Sequence, residues 1–159
     1  MNALSIRITD HRAGTDHTFQ FTPAPGPNIA ILSRFIDNGD GTVTDTTTGL
    51  MWSKGTVGDA SICWNDADTA CRELTLAGHR DWRLPTRAEL LSLVDDTRHD
   101  PAIDSSIFEC HPSWYWTSTP TAWASSCAWL VSFSYGLAYF NPRNGLAFVR
   151  AVRAAPAGQ

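Results

Sequence analysis

The amino-acid sequence predicts an α+β fold in which two helices pack on antiparallel sheet. Three observations carry this prediction: strand-like segments open the chain, two helix-forming segments follow, and strand-like segments return at the end. A parallel sheet is not expected, because strands and helices do not alternate along the chain. The 159 residues, of which 43% are hydrophobic and 18% charged, suffice for one compact domain with a single core.

A β-hairpin is predicted over residues 1–22. Apolar and polar residues alternate from Leu4 to Ile8 and again around Phe19 and Phe21, which is the pattern of half-buried strands. The proline-rich stretch that follows cannot continue a sheet, so residues 23–33 are predicted to form a linker. Because an isolated hairpin is marginally stable, we expect it to dock on its own chain, with docking on a second copy as the alternative.

The main domain is predicted over residues 34–153, followed by a tail over 154–159. It opens with a small β-meander and returns to β structure after the helices. The predicted strands are 42–44, 50–52, 114–118, 128–134, 137–140 and 146–152. The Asn144-Gly145 pair is typical of a tight hairpin turn and predicts that the strands on either side of it are paired.

Two helices are predicted between the two groups of strands. Asn65 is the expected N-cap of the first helix, in which apolar residues recur at helical spacing until Gly78 ends the stretch. Cys71 belongs to the apolar face of this helix and is expected to point into the core. The second helix is indicated by Thr86 and Glu89, whose spacing is that of a capping box.

The charge balance argues against a nucleic-acid ligand. The chain carries a formal net charge of -4, Lys54 is its one lysine, and its arginines are scattered. Phosphate backbones select clustered cations instead. No apolar window approaches the length of a membrane span, and the first ten residues lack the pattern of a secretory signal, so we expect a soluble chain whose compartment stays open.

The four cysteines are predicted either to form disulfides or to be buried thiols, and the sequence does not decide between these states. Close Cys-x-x-Cys pairs, which would indicate a zinc site, are absent. Cys63 and Cys71 are poor partners, because two residues that far apart on one helix are separated by about 12 Å. Cys110 and Cys127 flank a predicted strand and the loop after it, and they are the disulfide candidates.

No catalytic residue, metal or cofactor is predicted. The five histidines lack ligand spacing, and neither a nucleophile elbow nor a glycine-rich phosphate loop occurs in the sequence. The segment from Asp37 to Gly41 is similar to a calcium loop, but glycines occupy its third and fifth positions. We therefore predict a turn at this segment.

A motif just ahead of the second helix is predicted to orient that helix. It interleaves charged and bulky apolar residues, and a guanidinium among such neighbours needs a carboxylate or carbonyl partner. We therefore expect Arg83 to form a buried scaffold pair. The residues assigned to this scaffold are Asp81, Trp82, Arg83, Pro85, Thr86 and Glu89.

An ordered series of motifs resembles a known family. The motifs are Asp37 to Asp45 with Gly49 to Trp52, Asp81 to Thr86 with Glu89 and Leu90, Trp116 to Thr119, and Val149 to Arg153. In this order they resemble the family of the C-terminal domain of the Legionella collagen-like adhesin, over residues 34–153. This resemblance implies the C-type-lectin-like fold shared with formylglycine-generating enzyme and with the variable proteins of diversity-generating retroelements.

The resemblance also implies a ligand surface made by the C-terminal strands and loops. Tyrosine, tryptophan, asparagine and arginine suit such a surface, since they combine a large contact area with hydrogen bonding. The predicted ligand residues are Trp123, Ser134, Tyr135, Tyr139, Asn141, Arg143 and Asn144. The leading hypothesis is an adhesin-like or receptor-binding module for a protein or glycan, at a cell-surface or extracellular location; the alternative for Trp123 and Tyr139 is that they cap the core.

Three other functions stay open. In the first, this is a retroelement-diversified variable protein in which residues 123–148 are the diversified surface. In the second, it is an oxidase similar to formylglycine-generating enzyme, with Cys110 and Cys127 as its reactive pair. The Cys-Arg motif of those enzymes is not matched, because Ala128 follows Cys127. In the third, it is an assembly domain whose N-terminal hairpin mediates homo-oligomers.

Overall fold

The computed structural model describes residues 4–10, 15–21 and 33–156, in two separate units. The first unit, Met1–Leu32, contains β1 (Leu4–Asp10) and β2 (Thr15–Phe21), which pair antiparallel. The register sets Leu4 opposite Phe21 and Ile6 opposite Phe19, so the two predicted strands pair as a hairpin. Apart from Ser33, the predicted linker lies outside the described residues, and the docking partner of the hairpin stays a prediction.

The second unit, Ser33–Gln159, has two antiparallel sheets and two helices, which confirms the α+β class. The first sheet has the order β3-β4-β5-β9 and the second the order β6-β7-β8. The elements are β3 (Phe35–Asp37), β4 (Thr42–Asp45), β5 (Leu50–Ser53), α1 (Trp64–Glu73), α2 (Arg87–Leu91), β6 (Trp114–Thr121), β7 (Ala124–Ser132), β8 (Leu137–Pro142) and β9 (Val152–Ala154). Within the described residues, neither helix has the length and apolarity that crossing a bilayer requires.

The predicted strand over 146–152 and its hairpin turn are corrected by the structure. After β8 the chain turns, but Ala147 then bridges to Ile62 and Phe148 lies parallel to Tyr115. The regular strand, β9, begins only at Val152 and pairs with β5. The local turn chemistry is therefore overridden by tertiary pairing, and the end of the domain closes the first sheet.

The second sheet separates two core clusters. Tyr115 and Trp116 are consecutive on β6 and point to opposite faces, as the period of a strand requires. Trp116 packs with Trp82 and with the α1 side, whereas Tyr115 packs with Trp52 and the α2 side. Each fully buried tryptophan removes roughly 150–250 Å² from water, which stabilises the fold by about 4–6 kcal/mol.

The first helix begins earlier than the sequence predicts. Its N-cap is Cys63, which makes no capping hydrogen bond through its side chain, and Asn65 lies inside the first turn. Tertiary bonds set this boundary: the Trp64 amide donates to the Arg143 carbonyl at 2.9 Å, and its ring nitrogen donates to the Thr117 carbonyl at 2.8 Å. The helix also ends at Glu73, ahead of Gly78, while Cys71 is buried as expected.

The capping box of the second helix is confirmed. The Glu89 amide donates to the Thr86 hydroxyl, and the Thr86 amide donates to the Glu89 carboxylate at 2.7 Å. The same carboxylate receives two bonds from Arg83, at 2.7 and 2.9 Å, so the expected partner is present. The pair is not buried, however, because 45% of the Arg83 side chain is exposed. Trp82 and Pro85 are buried, and Asp81 is paired with Arg153 at 2.7 Å.

The predicted disulfide is not formed. All four cysteines are free thiols. Cys110 donates to the Tyr115 hydroxyl, and Tyr115 pairs with Val131 on β7. Cys127 lies on β7, where it pairs with Pro142 of β8. Each thiol therefore has its own neighbours, and of the two alternatives that the sequence left open the structure has free thiols.

A fully buried arginine joins segments from three parts of the second unit. Arg150 donates to the carbonyls of Ser53, Lys54 and Glu109, each at 2.6 Å. The sequence places Arg150 in a hydrophobic strand context but does not indicate these partners. Because a buried guanidinium is costly without acceptors, the three carbonyls explain how the fold accommodates it.

Candidate ligand-binding surface

One face of the second sheet carries a partly apolar pocket at its edge. We name it the aromatic pocket; it measures about 230 Å³ and is lined by Trp114, Leu130, Tyr139, Asn141 and Leu146. The register explains the grouping, because Tyr139 lies opposite Leu130 and Asn141 lies opposite Ala128 on the neighbouring strand. Residues two apart on a strand share a face, so β8 delivers both predicted residues to one site.

The aromatic pocket continues into a row of aromatic rings around the edge strand β8. The ring of Tyr139 lies 6.2 Å from that of Trp114 and is stacked on that of Phe140 at 4.9 Å. Phe140 in turn meets Trp123 edge to face at 5.3 Å. We name these four residues the aromatic row. Its two ends differ in chemistry, because the Trp123 end is backed by Trp129, over which the Arg87 guanidinium lies at 3.8 Å.

Much of this apolar surface faces solvent. Trp123 is 63% exposed, Tyr139 57% and Leu146 65%. Single exposed apolar residues are ordinary, but a contiguous group of large ones is typical of an interaction surface. Trp123 and Tyr139 also pack on partly buried rings, so the alternative in which they cap the core stays open beside the binding role.

A second pocket lies at the turn after β8, and residues on either side of that turn, Asn141 and Leu146, line the aromatic pocket. We name the second pocket the arginine pocket; it measures about 560 Å³ and is lined by Cys63, Asn65, Ser126, Pro142, Arg143 and Asn144. Its backbone is held on both sides of Arg143. The Arg143 amide donates to the Ser126 carbonyl at 2.8 Å, and its own carbonyl accepts from the Trp64 amide. The turn after β8 is thereby tied to β7 and to the start of α1.

The charge of Arg143 is unpaired within the part of the chain that the structure describes. Its guanidinium carbon lies 4.1 Å from the centre of the Trp64 ring, so the planar group is stacked on an aromatic face. Its Nε atom is buried and has no acceptor. The nearby Asp66 carboxylate accepts instead from the Cys63 thiol, at 3.2 Å. Arginine ordinarily satisfies its fork of donors with carboxylates or carbonyls, so this one is available to a ligand.

A glycine lies in the turn between Asn144, which lines the arginine pocket, and Leu146, which lines the aromatic pocket. A Cβ atom at Gly145 would lie 2.5 Å from the side-chain nitrogen of Asn141 and 3.1 Å from the Pro142 carbonyl oxygen. The Gly145 amide donates to that carbonyl at 2.9 Å, which closes the turn tightly. Any other residue at this position would displace the Asn141 amide, which lines the aromatic pocket.

The structure brings together only part of the predicted ligand set. Tyr139 and Asn141 share the aromatic pocket, Arg143 and Asn144 share the arginine pocket, and Trp123 ends the aromatic row. Ser134 and Tyr135 lie in the turn between β7 and β8 and line neither pocket. Residues that the sequence did not assign to a ligand surface complete it: Cys63, Asn65, Trp114, Ser126, Leu130, Phe140 and Leu146. Cys63 and Asn65 lie at the start of α1 and carried no signal of a ligand role. For the strand residues the signal was alternation, which does not tell an outer face from the core.

Comparison with known protein families identifies the chain's family. Residues 41–153 match the family described as the Lcl C-terminal domain, in agreement with the resemblance of the sequence motifs. The matched range runs from the turn before β4 into β9 and includes both pockets. None of the curated proteins matches the chain.

Proposed function

Because the chain belongs to the family of the Lcl C-terminal domain, we propose that it is a non-catalytic module that binds a ligand through its second sheet. The observation that carries this proposal is the aromatic row, whose ends Trp123 and Trp114 lie on either side of the edge strand β8. Tyrosine and tryptophan dominate recognition surfaces because they give a large contact area for little loss of conformational entropy. The ligand is a protein or a glycan that is met at a cell surface or outside the cell.

The fold assignment that belongs with this function is C-type-lectin-like. Its support is the resemblance of the sequence motifs together with two helices and two antiparallel sheets in one unit. In that assignment the C-terminal strands and loops form the ligand surface, and the first sheet closed by β9 acts as the base. A solved structure of the domain that lacks this arrangement would remove the assignment without touching the aromatic row.

The non-catalytic part of the proposal is supported by the contacts of the two cysteines. An oxidase similar to formylglycine-generating enzyme would need Cys110 and Cys127 as a reactive pair. Cys110 instead donates to the Tyr115 hydroxyl beside one core cluster, and Cys127 pairs with Pro142 in the strand ladder. Oxygen-dependent turnover that is lost when either cysteine is replaced by serine would overturn this part.

The experiment is a glycan and protein array probed with the purified full chain. The test variant is the double substitution Trp123→Ala and Tyr139→Ala, and the matched control is Ile36→Ala, an exposed apolar residue of β3 in the other sheet. We expect the double variant to lose at least about tenfold in affinity for the array ligand while the control retains it. No ligand on either array, or a ligand that the double variant binds unchanged, contradicts the proposal.

A specific observation favours one second candidate, the retroelement-diversified variable protein. Six large apolar residues are exposed in the described part of the chain, and all except Ile36 fall within residues 123–148. The five are Trp123, Tyr135, Leu137, Tyr139 and Leu146. A stretch that concentrates exposed contact residues on one scaffold is what diversification of a binding surface requires. The neighbouring DNA decides it: a near-identical template repeat beside a reverse transcriptase gene supports the candidate, and a locus without them removes it.

A further inference from the structure

The two pockets on the turn after β8 together specify the chemistry of a ligand. We infer that they bind a peptide whose carboxylate lies on Arg143 while a neighbouring apolar side chain occupies the aromatic pocket. This inference rests on the proposed binding function and names its ligand class. The carboxylate belongs either to an aspartate or glutamate side chain or to the C-terminus of the peptide.

Arg143 supplies the first half of the argument. It is the one cation that lines either pocket, and within the described residues it forms no ion pair or side-chain hydrogen bond. Its stacking on Trp64 holds the guanidinium plane in place. A planar fork that is held in this way matches the two oxygens of a carboxylate, so the ligand group would be bound by two parallel hydrogen bonds.

The polar groups around Arg143 fit the same ligand. Asn65 and Asn144 carry amides, and Ser126 carries a hydroxyl, all on the wall of the arginine pocket. Each amide offers a donor and an acceptor, which is the pairing that a peptide bond requires. The wall therefore suits the backbone next to a bound carboxylate as well as the carboxylate itself.

The aromatic pocket supplies the second half. Trp114, Leu130 and Leu146 make it largely apolar, with Asn141 as a polar group that lines it near the boundary with the arginine pocket. A sugar ring would leave most of its hydroxyl groups without partners against such walls, and each lost hydrogen bond is costly. An apolar side chain of a peptide fills the same space without that loss.

The single charge that lines the two pockets does not favour a polyanion. Polyanionic chains are held by several clustered cations, because each neutralised charge adds to the affinity. The two pockets offer one cation on a chain whose formal net charge is -4. One isolated carboxylate next to an apolar group is the charge pattern that this surface complements.

The spacing sets the length of the motif. Asn141 lines one pocket and Pro142, the next residue, lines the other. Because consecutive strand residues point to opposite faces, the distance between the pockets is set by the turn that lines both of them. The bond from the Gly145 amide to the Pro142 carbonyl holds the ends of this turn within about 7 Å, which is about two residues of an extended peptide. The apolar side chain and the carboxylate are therefore expected within about three residues of each other.

The test is a peptide array that contains octamers with every pairing of one apolar and one acidic residue. Each octamer is printed with a free C-terminus, with an amidated C-terminus, and with the acid replaced by its amide. We expect bound octamers to need a carboxylate within about three residues of the apolar side chain. Loss of binding on amidation assigns the C-terminus as the source, and loss on Asp→Asn or Glu→Gln replacement assigns the side chain. Either outcome supports the inference.

Variants of the full chain complete the test. Arg143→Gln should weaken the best octamer at least about tenfold, or about 1.4 kcal/mol, and Arg143→Lys should restore it only in part because the fork is lost. The matched control is Arg80→Gln, an exposed arginine outside both pockets, which should bind as the unsubstituted chain does. Thermal unfolding of each variant separates loss of binding from loss of fold.

Two results would overturn the inference. One is an array without bound octamers, and the other is octamers that bind equally well without a carboxylate or to the Arg143→Gln variant. In either case a glycan or protein ligand that depends on Trp123 and Tyr139 would leave the proposed function standing. If no ligand of any class depends on the aromatic row, the proposed function fails as well.

Discussion

Replacement of Arg150 by methionine should destabilise the domain strongly. Its side chain is fully buried, and its guanidinium donates to the carbonyls of Ser53, Lys54 and Glu109 at 2.6 Å. Methionine fills a similar volume but offers no donor. In the variant, the three carbonyls that accept from Arg150 would all lose this hydrogen-bond donor.

The magnitude follows from the cost of those acceptors. A buried polar group left without its partner costs about 1–3 kcal/mol. Two of the three bonds are only partly buried, so water can replace part of the loss, and we expect a decrease of about 3–5 kcal/mol in the free energy of unfolding. The whole free energy of unfolding of a native protein is only about 5–15 kcal/mol. At about 2–4 °C for each kcal/mol, the midpoint of thermal unfolding should fall by about 10 °C.

The assay is urea unfolding followed by tryptophan fluorescence, with calorimetry for the midpoint temperature. Arg150→Lys keeps the charge but not the fork, so it should fall between the unsubstituted chain and Arg150→Met. The matched control is Arg98→Met, which breaks exposed ion pairs with Asp95 and Asp104 and should cost less than about 1 kcal/mol. A change below about 1 kcal/mol for Arg150→Met, or one equal to the control, would refute the reasoning.

Three further predictions concern acid stability, thiol reactivity and the turn between the pockets. The bond from Arg83 lowers the pKa of Glu89 from 4.5 to about 2, so Glu89 contributes stability above about pH 4.5 that is lost as the pH falls towards 2. Glu89→Gln should therefore lower the free energy of unfolding by about 1 kcal/mol at pH 7, because the pair is partly exposed, and by less at pH 3. Urea titrations that give an equal loss at both pH values would count against this. Burial raises the pKa of the Cys71 thiol to about 12, so iodoacetamide should not label it in the folded chain at pH 8. In the unfolded chain, labelled without a reducing agent, mass spectrometry should find four labels, because all four thiols are free. Two labels would instead reveal a disulfide. Gly145→Ala should shift the side-chain amide resonance of Asn141 with little change in thermal stability, and an unmoved resonance would contradict the close approach in the turn.

Local patterns were sufficient for elements whose partners are near in sequence. The Thr86–Glu89 capping box joins residues three apart, and its motif alone predicts both of its hydrogen bonds. The alternation around Leu4 and Phe21 likewise predicts the strands of the N-terminal hairpin. Such elements are predictable because their interactions depend on backbone geometry that the adjacent residues set.

Local patterns failed where distant residues compete for the same backbone groups. The Asn144-Gly145 pair favours a hairpin, but the following residues pair with Ile62 and Tyr115 instead. Asn65 is the better capping residue by type, yet the bond from Trp64 to the Arg143 carbonyl starts the helix earlier. In both cases a long-range hydrogen bond outweighs a local preference of about 1 kcal/mol.

The candidate site was predictable in composition and not in arrangement. The sequence by itself determined the α+β class, the family, and a C-terminal region rich in the residue types that recognise ligands. Only the tertiary structure decided that Tyr139 and Asn141 share a pocket, that Arg143 stacks unpaired on Trp64, and that Cys110 and Cys127 are free thiols. The physical reason is that side-chain period and local propensity depend on neighbours along the chain, whereas exposure, pairing of charge and proximity of thiols depend on which distant segments the core brings together.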